Sequence, residues 1–414
     1  MAEPTTPEPE TAVVESAAEA PRRLRIALVT NRFYPEVGGA ETNIYFQACE
    51  LVKYYDVTVF TPRRLEDSPE DEEINGFRVR RLTDVLHTGK PFPNLASNTL
   101  CPAIFDEIRS GKFDVMHCFP SLTRNNTLAA LGAKLSGAAR VLVSFDFRDY
   151  AALIQERGEV YDMLADFRPA LEERLGLKLF QHVFTISERE TEFLSDYCPS
   201  VCYSPVPVKP EEYDDSDPPN PREAAGISKG DFVFLSLGRV SNVKGQDLAV
   251  DAFLQAADDL PKSHLVVVGR TDYEPEFFAK MQAAVAASPH GERVHFTGMV
   301  DREDVLGWLK YSDIHVVPVR FMNSGAVVVE SWISGTPVIQ SHVVDPNLVV
   351  EGENGFLFPS QDVPALADKM REAKSRKSEL GKMAKAGDKL VRERFTYPYL
   401  ISLYRQKYEE LCGV

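Results

Sequence analysis

The sequence predicts an α/β protein made of two successive doubly wound units. Three observations predict it. Short β-branched runs alternate with longer helical segments from Leu24 onward, most of those runs are almost continuously apolar, and the alternation stops once and then restarts. Continuous apolar runs mark parallel strands covered on both faces, because a strand with one wet face alternates polar and apolar residues. A chain of 414 residues is long enough for two or three domains at roughly 150 residues each, and the single interruption supports two.

The elements follow in order. Residues 1–21, MAEPTTPEPETAVVESAAEAP, carry five Glu and no basic side chain, so they read as a disordered acidic tail that lacks the basic start and apolar stretch of a signal peptide. A first domain over 22–208 contains the strands LRIALVT, DVTVFT, FRVRRL, DVMHCF, RVLVSF, HVFTIS and VCYSPV. The polar, Pro- and acid-rich stretch 209–231 reads as a linker, and the D-x-D triplet Asp215 to Asp217 within it as a solvated charge run. A second domain over 232–396 contains FVFLSLGR, HLVVVGR, RVHFTGMV, IHVVPV, TPVIQS and GFLF, with helices of 3.6 period such as QDLAVDAFLQAADDL between them. The last segment, 397–414, is an amphipathic helix with Leu400, Leu403, Tyr404 and Tyr408 near one face; it either crosses back to the first domain or packs on its own.

Composition narrows the class. A formal net charge of -16 argues against an electrostatic nucleic-acid binder, and no run reaches the ~18 apolar residues of a membrane span. A cytoplasmic placement follows. Six scattered cysteines in a chain of this length fit reduced thiols. Arg63, Arg64, Arg78, Arg80 and Arg81 offer basic charge to an anionic lipid headgroup at the inner face of a membrane, and a surface salt-bridge network accounts for them equally well.

In doubly wound sheets ligands bind beyond the carboxyl ends of the strands, so the loops there carry the candidate chemistry. After the first strand, Gly38 and Gly39 precede a helix and let backbone N–H groups and the positive helix end approach an anion. After FVFLSLGR, Arg239 and Lys244 share one short loop, a planar fork and a point charge suited to a diphosphate. The stretch RFMNSGAVVVESWISGTPVIQS predicts a helix from Gly325 or Ala326 to a left-handed cap at Gly335. Glu330 lies inside that helix among Val327, Val328, Val329, Trp332 and Ile333, and a carboxylate so placed needs a partner: two ribose hydroxyls, or a neighbouring Arg or Lys. His117 and Asp146, at strand ends of the first domain, are candidates for substrate contact. No phosphate-binding P-loop, nucleophile elbow or zinc-binding HExxH is present, and no metal site is expected.

YPEVGGAE, LGR with VKG, FTGMV, YSDIHVVPV, E-x4-GTPVI from Glu330 and EGENGFLF occur in an order and spacing that resemble the GT-B fold retaining glycosyltransferases of family 4, over nearly everything from Leu24 onward. The resemblance implies two Rossmann-like domains facing a central cleft, an acceptor in the first and a nucleotide-sugar donor in the second. It implies no cofactor and no metal. Arg239 and Lys244 would stabilise the departing diphosphate, Glu330 would hold the ribose, backbone groups around Val300 the base, and Gly38 and Gly39 would line the phosphate and acceptor side. Asn323, Ser324, Gly325 and Ala326 would complete the donor site. The acceptor, a glycan, a lipid-linked sugar or a small molecule, is not readable.

Two positions depart from that family. A second acid is usual eight residues before Glu330, where this chain has Met322, and a His-Asp pair is usual after VLVSF, where it has Phe145 and Asp146. A sugar pocket with thioether and phenyl in place of carboxylate and imidazole predicts a donor sugar with fewer hydroxyls to satisfy than glucose or mannose. The competing reading is a non-catalytic or regulatory GT-B protein that binds nucleotide-sugar but lost turnover with the acid at 322. An epimerase or phosphorylase of the same fold needs acid-base or cofactor-lysine residues that the sequence does not offer.

Overall fold

The computed structural model describes residues 22–36, 38–65, 67–86, 99–119, 123–144, 176–320, 325–344 and 348–414, without the side chain of Arg189. The candidates Asp146, Asn323 and Ser324, with Phe145, Met322 and the acidic tail, lie outside the described residues.

The first lobe runs β1 (Arg25–Thr30), α1 (Gly39–Leu51), β2 (Asp56–Pro62), β3 (Asp71–Ile74), β4 (Phe77–Leu82), α2 (Ala103–Ser110), β5 (Val115–Phe119), α3 (Arg124–Ser136), β6 (Ala139–Ser144), β7 (His182–Thr185), α4 (Glu188–Ser195) and β8 (Val201–Tyr203). Then come α5 (Pro210–Asp214) and the second lobe: β9 (Phe232–Leu237), α6 (Gln246–Ala256), β10 (Ser263–Val268), α7 (Pro275–Ala287), β11 (Val294–Gly298), α8 (Arg302–Tyr311), β12 (Ile314–Val317), α9 (Ala326–Ile333), β13 (Val338–Ser341), β14 (Gly355–Phe358), α10 (Val363–Ser375), α11 (Lys377–Arg394) and α12 (Tyr397–Cys412).

The first sheet has the order β3-β4-β2-β1-β5-β6-β7-β8 and the second β11-β10-β9-β12-β13-β14. Every neighbouring pair is parallel except β3 with β4. That edge hairpin turns at Asn75-Gly76, both with positive φ, a two-residue turn signal next to a strand, DEEI, too acidic to show as one in the sequence. In both sheets each order reverses beside the first strand of the lobe, which is where a doubly wound sheet opens its binding crevice.

Burial on both faces explains the continuous apolar runs. Ile26 and Leu28 of β1 pack with Ile44, Ala48 and Leu51 of α1, while Ala27 and Val29 pack with Ile104 and Ile108 of α2 and the alanines of α3. In β9, Phe232 and Phe234 face α6 and α10, and Val233 and Leu235 face Trp308 and Leu309 of α8. At roughly 25 cal/mol per Å² of apolar surface, these four layers are the main stabilising term.

Two segments differ from a simple reading. Residues 209–231 join the lobes but are folded onto the second one, with Tyr213 buried among Val328, Val329, Trp332 and Phe395 and with Ile227 beside Val233. The triplet Asp215 to Asp217 does stay wet, Asp217 pairing with Lys310 at 3.2 Å. The final helix crosses back: Leu400, Ile401, Tyr404 and Tyr408 complete the first lobe's core against α1. Where it crosses, the two interlobe passages run side by side, Val208 N–H donating to the Phe395 carbonyl at 2.8 Å.

Candidate active site

The carboxyl ends of β9, β10 and β11 each finish in glycine: Gly238, Gly269 and Gly298, all with positive φ. The approach is closest at Gly269, where a Cβ would stand 2.0 Å from the Gly238 carbonyl oxygen and 3.2 Å from the Arg239 nitrogen. Beyond β9 the chain makes a 3-10 turn, Asn242–Lys244, and enters α6 through Gly245 at φ +68. A side chain at Gly245 would run into the Pro318 carbonyl, 2.1 Å away, so glycine is what lets this loop lie against β12.

Polar side chains hold the loop in place. Gln246 donates to the carbonyls of Gly238 (3.3 Å) and Arg239 (3.1 Å) and accepts from Ser241 N–H (3.3 Å). Arg320, at the end of β12, bonds the Asn242 carbonyl at 2.8 Å and clamps Asp247 with both terminal nitrogens at 2.8 and 2.6 Å. A buried histidine ties this strand end to α9. His315 accepts from Leu237 N–H at Nε2 (3.1 Å), and its Nδ1 meets Ser331 Oγ at 2.5 Å, which in turn donates to the Val327 carbonyl at 2.7 Å. The ring is therefore neutral, with Nδ1–H the donor. Burial, then the Lys244 charge, push its pKa down to about 3.

Arg239 and Lys244 come together as the sequence implies. Neither has a carboxylate partner among the described residues; the Arg239 guanidinium is exposed and stacks 3.9 Å over the Tyr273 ring. Lys244 is half-buried, and desolvation, reinforced by Arg239, lowers its pKa. A half-buried ammonium beside another cation, with no counter-ion, is an unfavourable arrangement that a polyanion relieves.

Glu330 sits on α9, whose left-handed N-cap Gly325 has φ +68 and which ends before Gly335 at φ +86. Gly325 packs against Leu348 and Val344, and Ala326 opens the helix. The carboxylate has protein partners: Tyr213 Oη donates to Oε1 at 3.0 Å and Arg302 Nη1 to the same oxygen at 3.0 Å. Oε2 receives no hydrogen bond among the described residues. The sequence allowed for an Arg or Lys partner, which Arg302 is, but named neither donor and did not foresee Tyr213. Arg302 was the legible one, since a cation at the first position of α8 opposes the helix dipole and so has a reason to be there. Val300 is half-buried, one residue before the α8 N-cap Asp301.

In the first lobe, Gly38 is the N-cap of α1 and Gly39 its first residue. The anion against them is the chain's own: the Glu41 carboxylate occupies the space beside Gly38, with Arg32 at 4.0 Å. His117 requires a correction. It lies in β5, wholly buried under α12, with Nδ1 2.5 Å from Tyr408 Oη and its ring against Phe119, Phe184 and Tyr404. Burial holds its pKa well below the ordinary value. It is a core group, out of reach of a substrate. Of the two readings of the basic cluster, the structure shows the salt-bridge network: Arg63 pairs with Glu70, Arg64 with Glu36, Arg78 with Asp71, Arg80 with Asp71 and Glu107, and Arg81 with Glu72. No helix among the described residues is long and apolar enough to cross a membrane.

Two parallel Rossmann-like sheets with the C-terminal helix returned to the first lobe define the GT-B architecture. Sucrose-phosphate synthase from Thermosynechococcus elongatus has the same fold, with a TM-score of 0.72 at 21% identity over 94% of this chain and 100% of that one. The family model for glycosyl transferases group 1 matches residues 231–375, the lobe that carries Arg239, Lys244 and Glu330. The chain is a nucleotide-sugar-dependent glycosyltransferase whose second lobe matches the group 1 family. Among curated relatives, the GDP-mannose-dependent alpha-(1-6)-phosphatidylinositol monomannoside mannosyltransferase of Mycolicibacterium smegmatis is 25% identical over 82% of this chain and 86% of its own length. Alpha-monoglucosyldiacylglycerol synthase of Streptococcus pneumoniae is 25% identical over 76% and 70%.

Proposed function

We propose that the protein transfers a glycosyl group from a nucleoside-diphosphate sugar to a glycolipid or other glycoconjugate acceptor, with Arg239 and Lys244 receiving the diphosphate. The observation that carries this reading is Lys244, half-buried beside Arg239 with no carboxylate among the described residues to neutralise it. In the reaction the bond from the sugar's C1 to the diphosphate oxygen breaks while the acceptor oxygen bonds C1 on the same face. The acceptor's proton goes to the departing diphosphate. Charge builds on that leaving group, and two fixed cations stabilise it more than they stabilise the intact donor. Glu330 accepts from the ribose hydroxyls, and backbone groups at Val300 flank the base. Because side chains supply the neutralising charge, turnover is expected to survive EDTA.

The names of the two lipid-modifying relatives support a glycolipid acceptor. The test begins with calorimetric titration of UDP, GDP and ADP, followed by release of nucleoside diphosphate from a donor-sugar panel with phosphatidylinositol or diacylglycerol vesicles or with soluble sugar phosphates. One nucleotide should bind and one pair should turn over. Absence of nucleotide binding overturns the reading, whereas binding without release under any acceptor condition supports the regulatory alternative. The same panel tests the donor: UDP-glucose or GDP-mannose as clearly the best substrate would remove the proposal of a sugar with fewer hydroxyls.

A further inference from the structure

We propose that Tyr213, on the segment joining the lobes, is a positioning residue for Glu330: together with Arg302 it fixes Oε1 and leaves Oε2 to accept a ribose hydroxyl. This rests on the reading that Glu330 binds the nucleotide's ribose. A glutamate on a helix surface has three free torsions, and an apolar setting does not choose among them. Here the choice is made by two donors on one oxygen, Tyr213 Oη and Arg302 Nη1, each at 3.0 Å. The donors brace each other, Arg302 Nη2 donating to Tyr213 Oη at 2.9 Å and Nε to Glu212 Oε1 at 2.8 Å. Arg302 also stacks near the Tyr213 ring, 5.6 Å from its centroid.

The hydroxyl is the informative atom. The ring is packed among Val328, Val329, Trp332 and Phe395, a setting phenylalanine would fill as well. A phenol there needs a partner for its oxygen, and it has the carboxylate. Three elements, α5, α8 and α9, therefore meet on one oxygen of Glu330. With Oε1 committed, Oε2 is what remains for a ligand.

The experiment titrates the tightest-binding nucleoside diphosphate and its 2′-deoxy and 3′-deoxy forms into wild type, Glu330→Ala, Tyr213→Phe and Arg302→Gln, with Tm recorded for each. Wild type should prefer the ribonucleotide, and Glu330→Ala should abolish that preference. Tyr213→Phe should keep its Tm and lose about fivefold of the preference, the worth of one hydrogen bond. Arg302→Gln, at a half-exposed position, should do the same and decides the matter if Tyr213→Phe fails to fold. No preference in wild type, or preference intact in Glu330→Ala, overturns the ribose reading itself. Preference lost in Glu330→Ala but kept in a folded Tyr213→Phe or Arg302→Gln overturns this inference alone.

Discussion

Lys244 shows how one side chain links stability to function. Its ammonium is partly removed from water, faces Arg239 and has no carboxylate partner among the described residues, so in the unliganded protein it opposes folding. Replacing it with glutamine should raise Tm by a few degrees, in a thermal melt without nucleotide, while nucleoside diphosphate affinity and turnover fall about a hundredfold. A lower Tm together with unchanged affinity would mean that the lysine is merely structural. The pH dependence carries the same sign. The folded-state pKa lies below the ordinary 10.5, so between the two values the unfolded chain holds the proton, and the lysine's contribution to stability improves as pH rises through that window. His117 is the opposite case, a titratable group whose ring packs against Phe119, Phe184, Tyr404 and Tyr408 and which the strand pattern alone offered as a candidate.

Strand ends and helix starts explain why the site is rigid. Gly238, Gly269 and Gly298 terminate adjacent strands, and the backbone of one touches the next, so the loop bearing Arg239 is set by main-chain contact. Gly269→Ala would force a methyl into the Gly238 carbonyl at φ +143 and should cost about 3 kcal/mol in a urea melt, with nucleotide affinity falling as well. Gly381→Ala is the control. That glycine lies inside α11 with open space at its Cβ, and alanine there should stabilise by about 1 kcal/mol and leave binding untouched. A loss at Gly381 matching that at Gly269 would refute the steric argument. The glycines themselves were readable in LGR, VGR and TGM. Their contact was not, because it depends on which strands are neighbours.

At the scale of the whole molecule the chain passes between lobes twice, and the second passage delivers α12 to the first lobe. Tyr404 is wholly buried there against His117, Phe184 and Tyr408, more than two hundred residues from its partners in β5 and β7. Tyr404→Ala should cost about 3 to 5 kcal/mol and unfold the first lobe at lower denaturant than the second. Trp308 in α8 and Trp332 in α9 report on the second lobe by fluorescence, and a transition in which both lobes still melt together would show them to be one cooperative unit. Charge is also organised at this scale. Each of the five arginines of the first lobe that offered themselves to an anionic surface meets a carboxylate, the salt-bridge network that the sequence allowed as the other reading.

What the sequence determined by itself is what short-range rules govern: the apolar runs that become parallel strands, the single interruption between two sheets, the glycines after strands, and the pairing of Arg239 with Lys244 in one loop six residues long. The helix from Ala326 to Ile333 with its two glycine caps belongs to the same class. Only the tertiary structure decided who meets whom. The donors on Glu330 come from 117 and 28 residues away, His315 joins a strand to a helix through a fixed tautomer, and His117 is sealed by a helix from the far end of the chain. Periodicity fixes which face a side chain occupies, but the neighbour across that face is chosen by sheet order and chain crossings, which no local pattern encodes.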